Sequence, residues 1–427
     1  MNEQIKQRIN QLDNGEVPIG YQKTDFGIFP CDWVTDKKLK DLGLFGKGKG
    51  LPGDKMTTEG VPCVGYGDIY MKYNHFHFEE AQTFVDEETA SESQPIHKGT
   101  LLFTGTGETA DEIGKCVCYN GDETIYAGGD IITFVADKVN PLFLAYQQYQ
   151  DFSLRKKASF GQGHSVVHIQ RENLEKLNVA YPKSTEEQSR IAEILMKWDE
   201  AIELQEQYIN NISLRNRILV DNLLSRQQGW KPLPLSTFVE IKSGYAFKSE
   251  TYTLDGEYKI ITIKNVKKGE FDLSDCSTID ELPYNIQSHH FLNTGDIIIS
   301  LTGNVGRACV VEAENCLLNQ RVGKLEINGI NPLFIYEILQ TNRFISKMQN
   351  IAQGCAQANL SNTDIEEFIA YFPFDENGLD IKKIEELSEF LSKAQDELDM
   401  HKTLLNNMMS QRKTLQQYLL NGIVRVK

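Results

Sequence analysis

A heptad pattern of apolar residues occurs twice in this chain, once near its middle and once near its C-terminal end. From Gln188 to Ser225 the apolar side chains recur mostly at steps of three and four residues, which is the spacing of the seam between paired α-helices. The same spacing returns 196 residues later. The pattern predicts two long helices with one apolar seam each. The first seam consists of Ile191, Leu195, Trp198, Ile202, Ile209, Ile212, Leu219 and Leu223. The second consists of Leu387, Leu391, Ala394, Leu398, Leu405, Met408, Leu415 and Leu419.

The polar residues of the two predicted helices repeat as well. Gln205 interrupts the first seam where His401 interrupts the second, and Asn216 corresponds in the same way to Arg412. Acidic residues concentrate in the first half of each helix and basic residues in the last part. Because opposite charges attract, we expect the two helices to pair antiparallel as a coiled coil. The alternative is a pair of ordinary surface helices, each packed on its own domain.

The segments before the two helices also resemble each other. Gly295–Gly303 corresponds to Gly99–Gly107 at an offset of 196, and the Asn-Pro-Leu-Phe run at Asn331 corresponds to the one at Asn140 at an offset of 191. The chain therefore reads as globular domain, long helix, globular domain, long helix. The predicted boundaries are residues 1–182 for the first domain, 183–230 for the first long helix and linker, 231–373 for the second domain and 374–427 for the C-terminal long helix.

Local patterns predict individual elements of the first domain. Alternating and continuous apolar runs predict strands, a proline start predicts a short helix, and clusters of glycine and polar residues predict loops. The predicted helices are Asn2–Leu12 and Pro141–Gln150, the predicted strands are Val61–Ile69, Gly99–Phe103 and Lys115–Tyr119, and the predicted loops are Gly46–Gly50 and Ser159–Ser165.

A shared frame with divergent loops suggests a protein with two recognition heads. Helices of about 35 residues are about 50 Å long, and one turn of B-DNA is about 34 Å. Two heads at such a spacing suit two half-sites about one turn or more apart. Because the loops of the two heads differ, the half-sites need not be palindromic.

Composition limits the type of DNA binding that we expect. The formal net charge is −16, which argues against nonspecific coating of DNA and restricts phosphate contacts to local basic patches or to partner subunits. The N-terminal segment is polar and no run of about 18 apolar residues occurs, so we expect a cytoplasmic protein. The eight cysteines form no CxxC pair, which predicts reduced thiols and no metal site.

An ordered set of short segments, which occurs twice, carries a family resemblance. In the first half these are Tyr21–Thr24, Ile28–Pro30, Trp33, Pro182, Glu187–Gln188, Ile191–Ala192 and Leu195–Asp199. In the second half they are Ser243–Ser249, Tyr258–Asn265, Gly295–Ala308 and Leu318–Gly323. With these segments, the chain resembles the specificity subunits of type I restriction-modification systems over nearly its whole length.

The resemblance implies an α+β protein with two similar mixed α/β target-recognition domains in tandem, separated by two long antiparallel coiled-coil helices with pseudo-two-fold symmetry. Each domain is expected to recognise one half of a bipartite double-stranded DNA site. The helices are expected to dock two methyltransferase subunits, which restriction and translocase subunits then join. The resemblance also implies no catalytic residues and no cofactor on this chain, since S-adenosylmethionine, Mg²⁺ and ATP belong to the partners.

Polar and basic loop residues are the candidates for DNA contacts, because lysine, arginine, asparagine and glutamine reach phosphates and base edges. For any one of them a solvated loop position is the alternative. In the first domain the candidates are Lys47, Lys49, Arg155, Lys156, Lys157, Gln162, His164 and His168. In the second they are Lys242, Lys248, Lys264, Asn304, Arg307, Gln320, Arg321, Gln353, Gln357 and Asn359.

Outward-facing helix positions are the candidates for subunit docking. These are Tyr208 and Arg215 on the first helix, with Leu404 and Gln411 at the same offset on the second. An exposed apolar patch at these positions indicates a partner.

Two other function classes compete with recognition. Phe103–Gly107 fits the FxGxG pattern of adenine methyltransferases, and Asn140–Phe143 approaches their NPP(F/Y) motif. However, Leu142 replaces the second proline, and Pro141 starts a predicted helix. Binding of S-adenosylmethionine by the purified chain would favour a stand-alone methyltransferase. Failure to bind DNA, even with partners present, would favour a coiled-coil scaffold for proteins.

Overall fold

The computed structural model describes residues 3–73, 76–163, 166–353 and 359–426. The chain forms two compact units. Unit 1 contains Met1–Gln205 and Leu405–Lys427, and unit 2 contains Glu206–Leu404. Each long helix contributes residues to both units, so each unit consists of a globular part and one part of each helix.

Unit 1 begins with a helical segment and continues with many short strands. Its helices are α1 (Glu3–Asp13), α2 (Tyr66–Met71), α3 (Glu87–Ser91), α4 (Pro141–Gln147), α5 (Asp151–Phe160) and α6 (Arg171–Leu174). Its strands are β1 (Tyr21–Thr24), β2 (Gly27–Pro30), β3 (Trp33–Lys38), β4 (Gly43–Lys47), β5 (Val61–Val64), β6 (His77–Phe78), β7 (Thr83–Val85), β8 (Gln94–Ile96), β9 (Thr100–Thr104), β10 (Thr106–Gly107), β11 (Cys116–Tyr119), β12 (Ile125–Ala127), β13 (Ile131–Ala136), β14 (Val167–His168) and β15 (Asn178–Pro182). The first long helix, α7, runs from Thr185 to Leu223.

Most predicted elements of unit 1 are confirmed, and four bounds are wrong. The predicted helix Pro141–Gln150 ends at Gln147. The predicted strand Val61–Ile69 ends at Val64, because the Asp68 carboxylate accepts a hydrogen bond from Gly65 N at 2.8 Å and starts α2 there. The predicted loop at Gly46 begins inside β4. The predicted loop at Ser159 begins inside α5.

Two sheets form the centre of unit 1. The first has the strand order β4-β13-β9-β11-β6 and the second has the order β7-β5-β12-β8. In each sheet one pair is parallel, namely β11 with β6 and β12 with β5, and the other pairs are antiparallel. The strands β3 and β15 pair antiparallel beside them.

The core of unit 1 lies on both faces of its five-stranded sheet. On one face Leu101 and Phe103 pack with α4 and with Ile191 and Leu195 of α7. On the other face Leu102 packs with apolar residues of the four-stranded sheet. Burial on both faces explains the continuous apolar run of β9, because neither face of this strand meets water.

Unit 2 repeats this arrangement. Its helices are α8 (Pro332–Gln340), α9 (Asn342–Gln353) and α10 (Asn362–Glu366). Its strands are β16 (Trp230–Pro234), β17 (Val239–Ser243), β18 (Tyr258–Ile261), β19 (Val266–Lys267), β20 (Glu270–Phe271), β21 (Ser277–Ile279), β22 (Phe291–Leu292), β23 (Ile297–Ser300), β24 (Ala308–Val310), β25 (Cys316–Leu318), β26 (Val322–Ile327), β27 (Ile369–Asp375) and β28 (Gly378–Leu379). The second long helix, α11, runs from Ile381 to Leu420.

The sheets of unit 2 follow the strand order of unit 1, except that the described part of its first sheet has four strands and no counterpart of β6. The order β17-β26-β23-β24 corresponds to β4-β13-β9-β11, and β21-β18-β25-β22 corresponds to β7-β5-β12-β8. Ile297 and Ile299 pack towards α8 and α11, while Ile298 packs towards the second sheet. The duplicated sequence frame is therefore a duplicated fold, and two similar mixed α/β domains with two long helices are present as predicted.

The helix seams are buried within their units. Each of the sixteen predicted seam residues is buried or partly buried, and none is exposed. In unit 1, Asp199 of α7 contacts Arg412 of α11, and Glu187 contacts Arg425, which follows α11. In unit 2, Asn216 of α7 contacts Ala394 of α11. In unit 1 early residues of α7 meet late residues of α11 and in unit 2 the reverse holds, so the helix segments pair antiparallel within each unit.

Among the residues described, no helix has both the length and the apolar character needed to span a lipid bilayer.

Candidate nucleic-acid interface

In unit 2, four chain segments lie side by side beyond the ends of the central strands. We call them the second row: Tyr245, Gln320–Arg321, Leu301–Thr302 and Asn359–Leu360. Backbone hydrogen bonds join them in this order, from Gln320 N to Tyr245 O (2.9 Å), from Leu301 N to Arg321 O (3.0 Å) and from Leu360 N to Leu301 O (2.7 Å). With neighbouring chains about 4.8 Å apart, the second row is about 14 Å wide, comparable to the major groove of about 12 Å.

The side chains of the second row suit base contacts. Gln320, Arg321 and Asn359 are exposed. The Arg321 guanidinium makes no hydrogen bond or ion pair to any residue that the structure describes. Five donors in a planar fork are therefore available to a ligand at this position.

The loop beside the second row is held in one conformation by a buried hydroxyl. Ser300 Oγ donates to Asn304 O at 2.6 Å and accepts from Arg307 N at 3.1 Å. This closes the turn that carries the exposed Asn304 and the half-buried Arg307. Both predicted residues therefore lie on an ordered turn next to Thr302.

Unit 1 contains the equivalent first row: Lys47–Lys49, Gly129–Asp130, Gly105–Thr106 and His168–Ile169. Gly48 N donates to Ile131 O at 2.8 Å, Gly105 N to Asp130 O at 2.8 Å, and Ile169 N to Gly105 O at 3.0 Å. Thr106 pairs with His168 in the strand contact between β10 and β14.

A glycine at the same place in each row allows the first two segments to approach closely. A Cβ on Gly48 would lie 1.8 Å from Gly128 O, and one on Gly244 would lie 2.2 Å from Asn319 O. The two glycines are 196 residues apart, the offset of the sequence repeat. Both copies of the fold therefore need a glycine at this position, because any side chain would collide with the neighbouring backbone.

The first row borders a depression with a volume of about 360 Å³. Lys47 and His168, both predicted from the sequence, line it together with Thr106, Asp130 and Arg171. Asp130, Thr106 and Arg171 were not among the sequence candidates, which were basic and amide residues of predicted loops. Asp130 is an acid, Thr106 lies on β10 and Arg171 begins α6. The 191-residue offset, which places Arg321 on Asp130, was the available signal for Asp130.

The basic cluster Arg155–Lys157 needs a correction. These residues lie on α5, where successive side chains point about 100° apart, so the three share no single face. Lys157 is only 1% exposed, and its ammonium donates to Gly114 O at 2.8 Å. Burial lowers the pKa of Lys157 to about 8. Lys157 is therefore not an exposed DNA contact, while Arg155 and Lys156 stay exposed outside the first row.

Two predicted lysines of unit 2 already have acidic partners. Lys242 is half-buried on β17 next to Glu240 and Glu326, and the hydrogen bond that it donates to Glu240 raises its pKa. The Lys264 ammonium lies 2.7 Å from the Asp275 carboxylate. These partners reduce the positive charge that either lysine offers to a phosphate.

The remaining candidates differ in position. Lys49, Lys248, Gln162 and Gln353 are exposed, and Gln162 pairs with His168 through the backbone. His164 and Gln357 lie outside the described residues.

The helix segments of unit 1 carry a buried polar cluster. Arg412 Nε donates to Asp199 Oδ1 at 2.8 Å, and Tyr146 of α4 donates to Asp199 Oδ2 at 2.7 Å. The Arg412 guanidinium also donates to Gln416 and lies 4.1 Å from the centroid of the Phe76 ring. Arg412 and Asp199 are both nearly inaccessible to solvent.

The helix segments of unit 2 have a different polar layer and an exposed apolar group. Asn216 Nδ2 donates to Ala394 O at 2.7 Å, and Arg215 forms an ion pair with Glu397 at 2.5 Å. Arg215 is therefore paired on its own protein and is not a free outward-facing position. Tyr208 and Leu404 are 47% and 44% exposed, so both face outward as predicted.

The motif that resembles a methyltransferase signature is a helix start. Asn140 Oδ1 accepts from Phe143 N at 3.0 Å and caps α4, and Asn331 caps α8 in the same way. In the described ranges, no three histidine, cysteine, aspartate or glutamate side chains are grouped so that they could hold a metal ion.

The chain thus contains the same fold twice, and the equivalent rows of the two copies carry different exposed side chains. This arrangement is typical of a recognition protein with two binding domains. The model of the type I restriction modification DNA specificity domain matches residues 30–214 and again residues 227–407. The chain belongs to this family, as its sequence motifs indicated, and it is a recognition subunit rather than a catalytic one.

Solved structures have the same fold. The S subunit of a type I restriction-modification system from M. genitalium is 16% identical, with a TM-score of 0.55 over 91% of this chain and 96% of that one. A chain from a structure on complex assembly and conformational transition of the type I R-M system is 13% identical, with a TM-score of 0.57 over 96% of this chain and 98% of that one. At these identities the likeness concerns the fold.

Proposed function

We propose that this chain recognises a bipartite, asymmetric double-stranded DNA site, one half-site through each unit, as the specificity subunit of a type I restriction-modification complex in the cytoplasm. The observation that carries the proposal is the pair of equivalent rows. Equivalent backbone hydrogen bonds join the second, third and fourth segments of each row, whereas the exposed side chains of the two rows differ. A conserved frame with variable side chains suits two half-sites of different sequence.

The charge distribution supports weak DNA binding by the chain alone. The net charge of −16 opposes a general attraction to DNA, and the exposed lysines that the first row offers to phosphates are Lys47 and Lys49. Few phosphate contacts mean low affinity, which salt reduces further. Tight binding then requires the additional contacts of methyltransferase subunits.

The exposed apolar group of unit 2 supports subunit docking on the long helices. The Tyr208 ring lies 4.8 Å from the ring of His401, and Leu404 follows His401 by one helical turn. Solvent exposure of an aromatic and an aliphatic side chain in one place suits a protein partner. Two methyltransferase subunits dock on the helices in this proposal, and restriction and translocase subunits join them. The cofactors S-adenosylmethionine, Mg²⁺ and ATP bind to those partners.

A map of methylated bases in host DNA tests the recognition of DNA. We expect methylation at one bipartite, non-palindromic motif in cells with this gene, its loss on deletion, and its return on complementation. An unchanged map in cells that express the whole system contradicts the proposal and favours a scaffold that binds proteins.

Introduction of positive charge into the exposed apolar group tests the docking surface. Tyr208→Arg combined with Leu404→Arg should prevent co-elution of the methyltransferase subunits in size-exclusion chromatography. Ile381→Arg is the matched control, because Ile381 is an equally exposed apolar residue of α11. Normal assembly of the double variant, or equal loss with the control, excludes this surface.

A further inference from the structure

Asp130 and Arg321 occupy the same place in the two rows. They are 191 residues apart, the offset of the repeat in this part of the chain (321 − 130). Each directly precedes a central strand, β13 in unit 1 and β26 in unit 2. Each carbonyl accepts a backbone hydrogen bond from the neighbouring segment of its row, from Gly105 N at 2.8 Å and from Leu301 N at 3.0 Å. The backbone is thus equivalent, and the side chain is reversed in charge.

The Asp130 carboxylate is available to a ligand. Asp130 is exposed, and its carboxylate makes no hydrogen bond or ion pair with the residues that the structure describes. It stands between two depressions and lines both, with volumes of about 360 Å³ and 530 Å³. A ligand that enters either depression therefore meets this carboxylate.

The surroundings of Asp130 suit a base edge rather than a phosphate. Gly129 N donates to Gly50 O at 3.2 Å, which places Asp130 beside the loop that carries Lys47 and Lys49. An unpaired carboxylate repels the DNA backbone, so the lysines would contact phosphates while the carboxylate contacts a base that donates a hydrogen bond.

The chemistry of the major groove selects the base. A carboxylate only accepts hydrogen bonds, and the N4 amine of cytosine is the only polar group that cytosine presents in the major groove. Adenine presents its N6 amine beside the N7 acceptor, which repels a carboxylate, and guanine and thymine present acceptors. A guanidinium only donates, which suits the two acceptors of guanine.

We propose that Asp130 determines one base of the first half-site by accepting a hydrogen bond from the N4 amine of cytosine, at the place in the frame where Arg321 donates to guanine in the second half-site. This rests on the proposed recognition of a bipartite DNA site. Asp130 is thus a specificity-determining residue, and the two half-sites have opposite hydrogen-bonding character at this position.

The test is the methylation motif of cells that carry the complete system with variants of this chain. Asp130→Ala should reduce discrimination about tenfold or more at one cytosine of the first half-site and leave the second half-site unchanged. Asp130→Asn retains the shape of the side chain and should shift the preference at that position to adenine. The matched control is Glu123→Ala, because Glu123 is an exposed acid at the opposite end of β12.

The outcomes separate this inference from the proposed function. If the wild-type system methylates no bipartite motif, the proposed function fails. If the wild-type motif is bipartite and Asp130→Asn keeps its first half-site unchanged, only the role of Asp130 is refuted. A uniform decrease in methylation without relaxation of one base, or relaxation by Glu123→Ala as well, also refutes it. The unchanged second half-site in the same cells shows that the variant folds and assembles.

Discussion

The two units bury different groups at equivalent places. Lys157 of unit 1 corresponds to Met348 of unit 2 at the 191-residue offset, and both side chains are almost fully buried. Arg412 in the helix segment of unit 1 corresponds to Asn216 in that of unit 2 at the 196-residue offset. Unit 1 therefore buries two cations where unit 2 buries a thioether and an amide.

This difference shows that the shared fold accommodates a buried cation or an uncharged side chain at these positions. How much a buried cation costs depends on the groups that surround it. Arg412 has a carboxylate partner in Asp199, so its charge is compensated. Among the described residues, Lys157 contacts a carbonyl and an aromatic ring, which compensate its charge less. Because an unpaired buried arginine is strongly unfavourable, the cluster around Asp199 favours the antiparallel pairing of helix segments in unit 1 over any pairing that separates the two charges.

The largest effect is expected from breaking the buried pair. Arg412→Ala leaves Asp199 buried, with the Tyr146 hydroxyl as its one remaining donor in the described part of the chain, so the free energy of unfolding should fall by about 3–5 kcal/mol. Urea denaturation followed by circular dichroism measures this. Arg215→Ala, which removes an exposed ion pair of unit 2, should lower the free energy of unfolding far less, because water screens this pair. Equal losses in the free energy of unfolding for the two variants would contradict the expectation that the buried ion pair matters more than the exposed one.

Replacement of the buried lysine of unit 1 by the methionine that unit 2 has at the equivalent place should stabilise the protein. Lys157→Met removes a buried ammonium whose pKa burial lowers to about 8, and it should increase the free energy of unfolding at pH 7 by up to about 3 kcal/mol.

The pH dependence of Lys157→Met provides the control. Between pH 8 and the ordinary lysine value of 10.5, the unfolded wild type binds more protons at this site, so its stability should rise with pH. The difference between variant and wild type should shrink over the same range. A difference that stays constant with pH contradicts the explanation by buried charge.

A smaller effect is expected in the amide layer of unit 2. Asn216→Ala removes the hydrogen bond to Ala394 O and should lower the free energy of unfolding by about 1 kcal/mol. Urea denaturation of Asn216→Ala and Arg412→Ala under the same conditions compares the losses in the free energy of unfolding at the two polar layers. A loss as large as that of Arg412→Ala would mean that the amide is as indispensable as the ion pair.

A further effect, which depends on pH, is expected where unit 2 has a carboxyl group in place of a tyrosine. Glu337 corresponds to Tyr146 at the 191-residue offset, and burial raises the pKa of Glu337 to about 7. The folded protein binds the additional proton between pH 4.5 and 7, so the contribution of Glu337 to stability should decrease as the pH rises through this range. Glu337→Gln should remove this part of the pH dependence. An unchanged profile of thermal midpoints from pH 4.5 to 7 refutes it.

The sequence by itself determined the duplicated architecture, the two long helices and the family. The seams are visible in sequence because helical spacing is local, and each predicted seam residue is indeed buried or partly buried. The repeated glycines and Asn-Pro starts are likewise local signals of close approach and of helix capping.

Only the tertiary structure decided which polar residues are available to a ligand. Lys157 appears in sequence as part of an exposed basic cluster, but the helical turn points it into the core. Lys264 and Arg215 appear free until the fold places Asp275 and Glu397 beside them. Asp130 joins the row because Gly105 and His168, distant in sequence, lie next to it in the fold. Burial and ion pairing depend on long-range neighbours, which local sequence patterns do not specify.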